Sequence, residues 1–122
     1  MDDDAGTRSV LRRLLEALGA SVHEAANGLE AWAGYGGLAP DMVITDYMMP
    51  GMDGFELAGR ISAAADGVRA CPVIIHSGSP LSREDIEKSG AFAFVGKPVS
   101  LEQMRRILES ARRELRAAGR AP

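Results

Sequence analysis

The sequence predicts an α/β domain in which a parallel sheet is covered by helices on both faces. Segments with helical apolar spacing alternate with short apolar runs, and those runs are continuous, as expected for strands buried on both faces. Glycine and proline separate the segments. The chain has 122 residues, which suits one domain. We assign residues 1–118 to that domain and 119–122 to a C-terminal tail.

Two helices and two strands are predicted in the first half of the chain. Residues 6–18 have leucine and valine at helical spacing, and Gly19 is a plausible terminator. Residues 21–25 form a short candidate strand, and residues 28–35 form a weaker helix. The apolar run at 42–45 predicts a buried strand, which a Met-Pro-Gly sequence then terminates.

The second half repeats the alternation. A helix is predicted over 53–64 and a buried strand over 72–75. A short polar helix runs from Ser82 to near Gly90, and residues 92–95 form another strand. A long helix follows, so each predicted strand is succeeded by a helix, which is typical of a parallel sheet.

The final helix opens at Ser100-Leu101-Glu102-Gln103, which has the capping-box pattern. Its apolar residues form one stripe of fewer than three heptads, at Leu101, Met104, Leu108, Ala111 and Leu115. The stripe predicts packing on the domain core, with a helical contact in a homodimer as the lesser alternative.

Composition excludes several classes of protein. Cys71 is the single cysteine, so disulfides and cysteine-based zinc sites are excluded. No apolar run reaches the ~20 residues that span a bilayer, and the first residues lack the features of a signal peptide. We therefore expect a cytoplasmic protein without a membrane partner. The arginines of the last helix have no aromatic residues between them, so we expect no direct nucleic-acid binding.

Polar residues follow three of the predicted strands, where ligands bind in parallel sheets. They are Asp46, Ser77 and Lys97, and Asp2-Asp3-Asp4 precedes the first helix. Carboxylate oxygens suit Mg²⁺, an ammonium group binds phosphate oxygens, and an aspartate can accept a phosphoryl group. The pattern favours phosphoryl transfer to a carboxylate. Alternatively, these residues have no shared chemical role. Asp46 would then lie in a turn, the Ser77 hydroxyl would cap a turn or helix, Lys97 would be solvated, and Asp2-Asp3-Asp4 would be an acidic N-terminus near a helix start.

These residues resemble the receiver domain of bacterial two-component response regulators. The strongest segment is Ile44-Thr45-Asp46-Tyr47-Met48-Met49-Pro50-Gly51-Met52-Asp53-Gly54-Phe55-Glu56-Leu57, which is similar to the phosphoacceptor segment of that family. Ala26-Asn27-Gly28, Pro40-Asp41, Ser77-Gly78, Ser89-Gly90-Ala91 and Lys97-Pro98 match in the same order. The resemblance covers nearly the whole chain.

The resemblance implies a flavodoxin-like doubly wound sheet of strand order 2-1-3-4-5. It implies that Asp46 accepts a phosphoryl group from a histidine kinase or phosphotransfer protein, without the chain being a turnover enzyme. Ser77 and Lys97 would bind the phosphoryl oxygens. Mg²⁺ would be held by Asp3, Asp46 and the backbone carbonyl of Met48, with Asp2 acting through water.

The resemblance also implies a conformational switch. Phe94 occupies the aromatic switch position, and it would turn inward when Ser77 moves toward the phosphoryl group. That movement would remodel the surface of the family's fourth helix, fifth strand and fifth helix, where an output protein binds.

Two departures from the family pattern affect these expectations. Only Met1 precedes the acidic residues, so the first strand is missing or remodelled. A strand from another molecule, an incomplete chain or a remodelled sheet would each explain this, and a degenerate receiver that binds partners without phosphorylation is the alternative function. Met48 and Ser79 carry no group that orients water on an aspartyl phosphate, which predicts slow dephosphorylation.

Two other ligand or enzyme classes fit less well. A phosphatase with an aspartyl nucleophile would carry a second aspartate where Met48 stands. A flavin-binding domain would have a loop rich in Ser, Thr and Gly where this chain has Asp2-Asp3-Asp4.

Overall fold

The computed structural model describes residues 2, 4–38, 40–47, 52–64, 71–78 and 82–117. Two helices follow one another at the start, strands and helices then alternate, and the three strands lie side by side in chain order in one parallel sheet. The elements are α1 (Ala5–Ala17), α2 (Gly28–Leu38), β1 (Val43–Asp46), α3 (Gly54–Ala64), β2 (Val73–Ser77), α4 (Arg83–Ser89), β3 (Ala93–Gly96) and α5 (Leu101–Ala117). The predicted flavodoxin-like α/β class is confirmed.

The sheet register brings the ends of the strands to one edge. Asp46 at the end of β1 is opposite His76, and Ser77 at the end of β2 is opposite Gly96. Lys97 follows directly. The predicted polar residues therefore meet at the carboxyl edge, because parallel strands end on the same side of a sheet.

Apolar side chains cover both faces of the sheet. Alternate residues of β2 point to opposite faces, as strand geometry requires. The cluster on one face joins the sheet to α1 and α5 and includes Leu11, Leu15, Ile44, Ile74, Val95, Met104 and Leu108. The cluster on the other face joins it to α3 and includes Met52, Leu57, Ala58, Ile61, Val73 and Ile75. This double coverage explains the continuous apolar runs.

Helix α5 begins with the predicted capping box. The backbone N–H of Gln103 donates to Ser100 Oγ at 3.1 Å, and the N–H of Ser100 donates to Gln103 Oε1 at 3.0 Å. Met104, Leu108, Ala111 and Leu115 are buried, so the stripe packs on the core as predicted. Leu101 is the exception, with 47% of its surface exposed.

The predicted strand at 21–25 is wrong, because these residues form no strand. An extended segment needs a neighbouring strand to complete its hydrogen-bond ladder. Among the described residues, only residue 2 takes that place, and its N–H donates to the Ala25 carbonyl at 3.3 Å.

The expectations that remain concern membrane-spanning helices and the C-terminal tail. No helix within the described ranges is long and apolar enough to cross a membrane. The predicted tail at 119–122 lies outside the described residues.

Candidate functional site

Lys97 joins the ends of the three strands. Its side-chain Nζ donates to Asp46 Oδ2 at 3.0 Å, and its backbone N–H donates to the Ser77 carbonyl at 2.9 Å. The second bond fixes the start of the lysine side chain beside the end of β2. The predicted residues Asp46, Ser77 and Lys97 are thus brought together.

Asp2 is the second carboxylate at this edge, and it is fully buried. Its Oδ2 accepts from Lys97 Nζ at 3.0 Å, and its Oδ1 accepts from the Asp4 N–H at 2.9 Å. Arg8 Nη1 donates to its carbonyl at 2.7 Å, and its own N–H donates to Ala25. These bonds anchor residue 2 at the edge of the sheet.

One ammonium group therefore serves two carboxylates. Burial lowers the pKa of Lys97, but hydrogen bonds to Asp46 and Asp2 and the attraction of both carboxylates outweigh it, so the pKa is raised overall. The lysine stays charged at neutral pH, and this single positive charge faces two carboxyl groups. Such a site favours a further cation.

The donor set is chemically suited to Mg²⁺. Oxygen atoms of Asp2 and Asp46 converge, and hard cations prefer carboxylate oxygens. The predicted ligands Asp3 and Met48 lie outside the described residues. Within the described part of the chain, no group of three or more His, Cys, Asp or Glu side chains could hold a metal. The carboxylate oxygens of Asp2 and Asp46 are ligands of the kind that Mg²⁺ prefers.

Ser77 and Phe94 lie on the neighbouring strands β2 and β3. Ser77 is buried at the carboxyl end of β2, next to Lys97. Phe94 is opposite Ile75 in the register and is partly buried against the apolar cluster on the α3 face. Both predicted positions are therefore close to the carboxylate edge, Ser77 directly and Phe94 two residues before the strand ends.

Gly54 and Thr45 support Asp46, although the sequence assigned them no role. The N–H of Gly54 donates to the Tyr47 carbonyl at 2.9 Å, and a Cβ at Gly54 would lie 2.6 Å from the Asp46 carbonyl. The buried Thr45 Oγ1 donates to that same carbonyl at 2.9 Å. The signal in the sequence was the glycine of the Met-Asp-Gly motif, because close backbone approach requires glycine.

His76 is also buried at this edge, and neither ring nitrogen has a hydrogen-bond partner in the structure. Burial lowers its pKa, and the positive charge of Lys97 lowers it further, against the opposite effect of Asp2 and Asp46. The imidazole is therefore neutral at pH 7.

Comparisons with known proteins agree with this geometry. Residues 1–109 match the family model of the response regulator receiver domain. The chain is 34% identical to the C4-dicarboxylate transport transcriptional regulatory protein DctD of Rhizobium meliloti, over 93% of this chain and 24% of that protein. It is 30% identical to sporulation initiation phosphotransferase F of Bacillus subtilis, over 86% of this chain and 84% of that protein.

Solved structures of receiver domains are also similar to this chain. The receiver domain of the response regulator NarL from Mycobacterium tuberculosis superimposes with a TM-score of 0.81 and 26% identity, over 91% of each chain. The chain spans about a quarter of the length of DctD but most of the length of sporulation initiation phosphotransferase F. Family model, relatives and structural neighbours agree, and the chain belongs to the response regulator receiver domain family of two-component signalling.

Proposed function

We propose that this chain is a phosphorylation-dependent receiver whose Asp46 accepts a phosphoryl group from a histidine kinase or phosphotransfer protein. The observation that carries the proposal is the convergence of Asp2, Asp46 and Lys97 at the carboxyl edge of the sheet. The relative named sporulation initiation phosphotransferase F also supports it. The chain takes part in its own phosphoryl transfer and does not turn over as an enzyme.

In the proposed reaction, an Asp46 carboxylate oxygen attacks the phosphorus of a phosphohistidine. The new O–P bond forms as the P–N bond breaks, and the electron pair of that bond returns to the imidazole of the donor. Lys97 Nζ, already beside Asp46, binds a phosphoryl oxygen and offsets its charge. The Ser77 hydroxyl donates to another phosphoryl oxygen.

Asp3, Asp46 and the Met48 carbonyl would hold Mg²⁺, with Asp2 acting through water. The Asp2 carboxylate already accepts bonds from Asp4 and Lys97, which suits an indirect role. When bound, Mg²⁺ supplies positive charge that offsets repulsion between the carboxylate and the phosphoryl group.

In this proposal, Ser77 and Phe94 transmit phosphorylation to the surface that binds an output protein. Movement of Ser77 toward the phosphoryl group opens space beside β3, into which Phe94 turns. The exposed surface formed by α4, β3 and α5 then changes, and an output protein reads it. We place the phosphorylation of the chain and its binding to an output protein in the cytoplasm.

The test is phosphorylation by acetyl phosphate with Mg²⁺, followed by intact-protein mass spectrometry. We expect one added phosphoryl group on the wild type and none on Asp46→Asn. Asp53→Asn is the control, because Asp53 lies in the same motif and its Oδ1 accepts from the Glu56 N–H at 2.7 Å. It should remain phosphorylated. Absence of an adduct on folded wild-type protein would favour the degenerate receiver, a module that binds partners without phosphorylation.

A further inference from the structure

The His76 side chain lies on the same face of the sheet as the Asp46 side chain. The two residues are register partners, and neighbouring strands are about 4.8 Å apart. Side chains two residues apart in a strand share a face, so His76 projects with Ile74 toward α1 and α5. Asp46 shares that face with Ile44. The imidazole is therefore a lateral neighbour of the proposed phosphoacceptor.

This imidazole is buried without a hydrogen bond. It is 3% exposed, and neither ring nitrogen has a partner among the described residues. A neutral imidazole has one N–H donor and one acceptor nitrogen, and a buried polar group that lacks a partner costs free energy. The charges of Lys97, Asp2 and Asp46 each affect its pKa, so all three groups are within electrostatic range. A state of the site that offers an acceptor to the N–H is therefore favoured.

Asp2 provides such an acceptor once its present donor is withdrawn. Its Oδ1 accepts from the Asp4 N–H, and its Oδ2 accepts from Lys97 Nζ at 3.0 Å. In the described part of the chain, Lys97 is the only donor to Oδ2. A phosphoryl group on Asp46 would lie beyond the carboxylate oxygen and carry a charge of about −1.5 to −2, which draws the ammonium outward. Oδ2 of the fully buried Asp2 then loses its donor.

We propose that the His76 imidazole N–H donates a hydrogen bond to Asp2 Oδ2 when Lys97 moves to the phosphoryl group. This inference rests on the proposed function. The exchange transfers no proton, and it pairs two buried polar atoms that would otherwise lack partners. His76 does not touch the phosphoryl group. It is a positioning residue that makes it easier for Lys97 to leave Asp2.

The first test follows the imidazole protons by NMR in the full chain with isotope-labelled histidine. Phosphorylation by acetyl phosphate with Mg²⁺ should move the His76 N–H proton downfield, as a new N–H···O bond requires. The exposed His23 is the internal control, and its signals should not move. Lys97→Met should show the downfield position without phosphorylation, because the substitution also removes the ammonium group from Asp2. Adding Asp2→Ala to Lys97→Met should abolish that shift.

The second test measures the rate of phosphorylation by acetyl phosphate with intact-protein mass spectrometry. His76→Leu removes the donor, so Lys97 stays with Asp2 and the rate should fall about tenfold or more. His76→Asn and His76→Gln place an amide N–H near one or the other ring nitrogen, and one of them should restore most of the rate. His23→Gln should react like the wild type. If His76 only fills space in the core, His76→Leu should react as fast as the wild type.

The outcomes separate this role from the proposed function. If the wild type takes up a phosphoryl group but its His76 N–H proton does not move, the role of His76 is overturned and the function of Asp46 stands. If the wild type takes up no phosphoryl group, both are overturned. The NMR measurement on the wild type needs no substitution in the cluster, so it decides the question even where a variant fails to fold.

Discussion

Asp2 and Asp46 accept hydrogen bonds from the same ammonium group, Nζ of Lys97, and both distances are 3.0 Å. Asp2 is fully buried, and only 10% of the Asp46 side chain is exposed. The lysine thus offsets the repulsion between two carboxylates that have little access to water.

Removing this cation should destabilise the fold. Lys97→Met leaves two buried carboxylates without a counter-ion, and we expect the free energy of unfolding to fall by about 2–4 kcal/mol. Urea unfolding at pH 7 without divalent ions measures the change. The matched control is Lys88→Met, because Lys88 and its partner Glu84 are largely exposed. That change should cost less than about 1 kcal/mol. Equal losses would contradict the assigned role of Lys97.

A methyl group at Gly54 should disturb the backbone of the phosphoacceptor segment. The added Cβ would lie 2.6 Å from the Asp46 carbonyl, so Gly54→Ala should lower the free energy of unfolding by about 1–3 kcal/mol. Gly59 lies in the same helix and has no atom within 4 Å of an added Cβ. Gly59→Ala should stabilise by about 0.5–1 kcal/mol. Chemical unfolding measures both, and the opposite order would be inconsistent with this close approach.

Acid should weaken the fold through His76. Its pKa is lowered in the folded state, so below pH 6.5 the unfolded chain binds the proton more readily. Its contribution to stability is constant above pH 6.5 and falls as the pH drops from there toward the lowered pKa, by at most about 1.4 kcal/mol per pH unit. Stability measured from pH 8 to 5 should fall less steeply in His76→Leu.

His23 is the control for this effect, because it is exposed. The His23→Gln variant should keep the pH dependence of the wild type. If His76→Leu shows the same slope as the wild type, His76 is not the group responsible.

The proposed aspartyl phosphate should be long-lived. Met48 and Ser79 provide no carboxylate or amide that orients an attacking water, so we expect a half-life longer than seconds after rapid removal of the donor. Met48→Asn adds an amide and should shorten it. Quench-flow with mass detection measures both proteins. Loss of the phosphoryl group from the wild type within seconds would refute the expectation.

The sequence predicted the strand-end residues because continuous apolar runs identify buried parallel strands. Asp46 and Lys97 follow such runs, and parallel strands bring them to one edge. The anchoring of Asp2 was not predictable, because it depends on contacts with Arg8, Ala25 and Lys97 that no local pattern reveals.

The strand predicted at residues 21–25 is wrong because a local pattern was present but the pairing that a strand needs was not. Val22 and its neighbours have a composition compatible with a strand, but a strand also needs a paired neighbour, and composition does not report whether one is present. The close approach at Gly54 similarly depends on the tertiary path of the chain after β1.

The cluster at the sheet edge draws on distant parts of the polypeptide. Lys97 is 95 positions after Asp2 and 51 after Asp46. Contacts of such long range form only after large loops have closed. A chain emerging from the ribosome carries Asp2 and Asp46 well before β3 delivers their cation. The cluster is therefore completed only after β3 has been synthesised, and no folding intermediate confined to residues before Lys97 contains it.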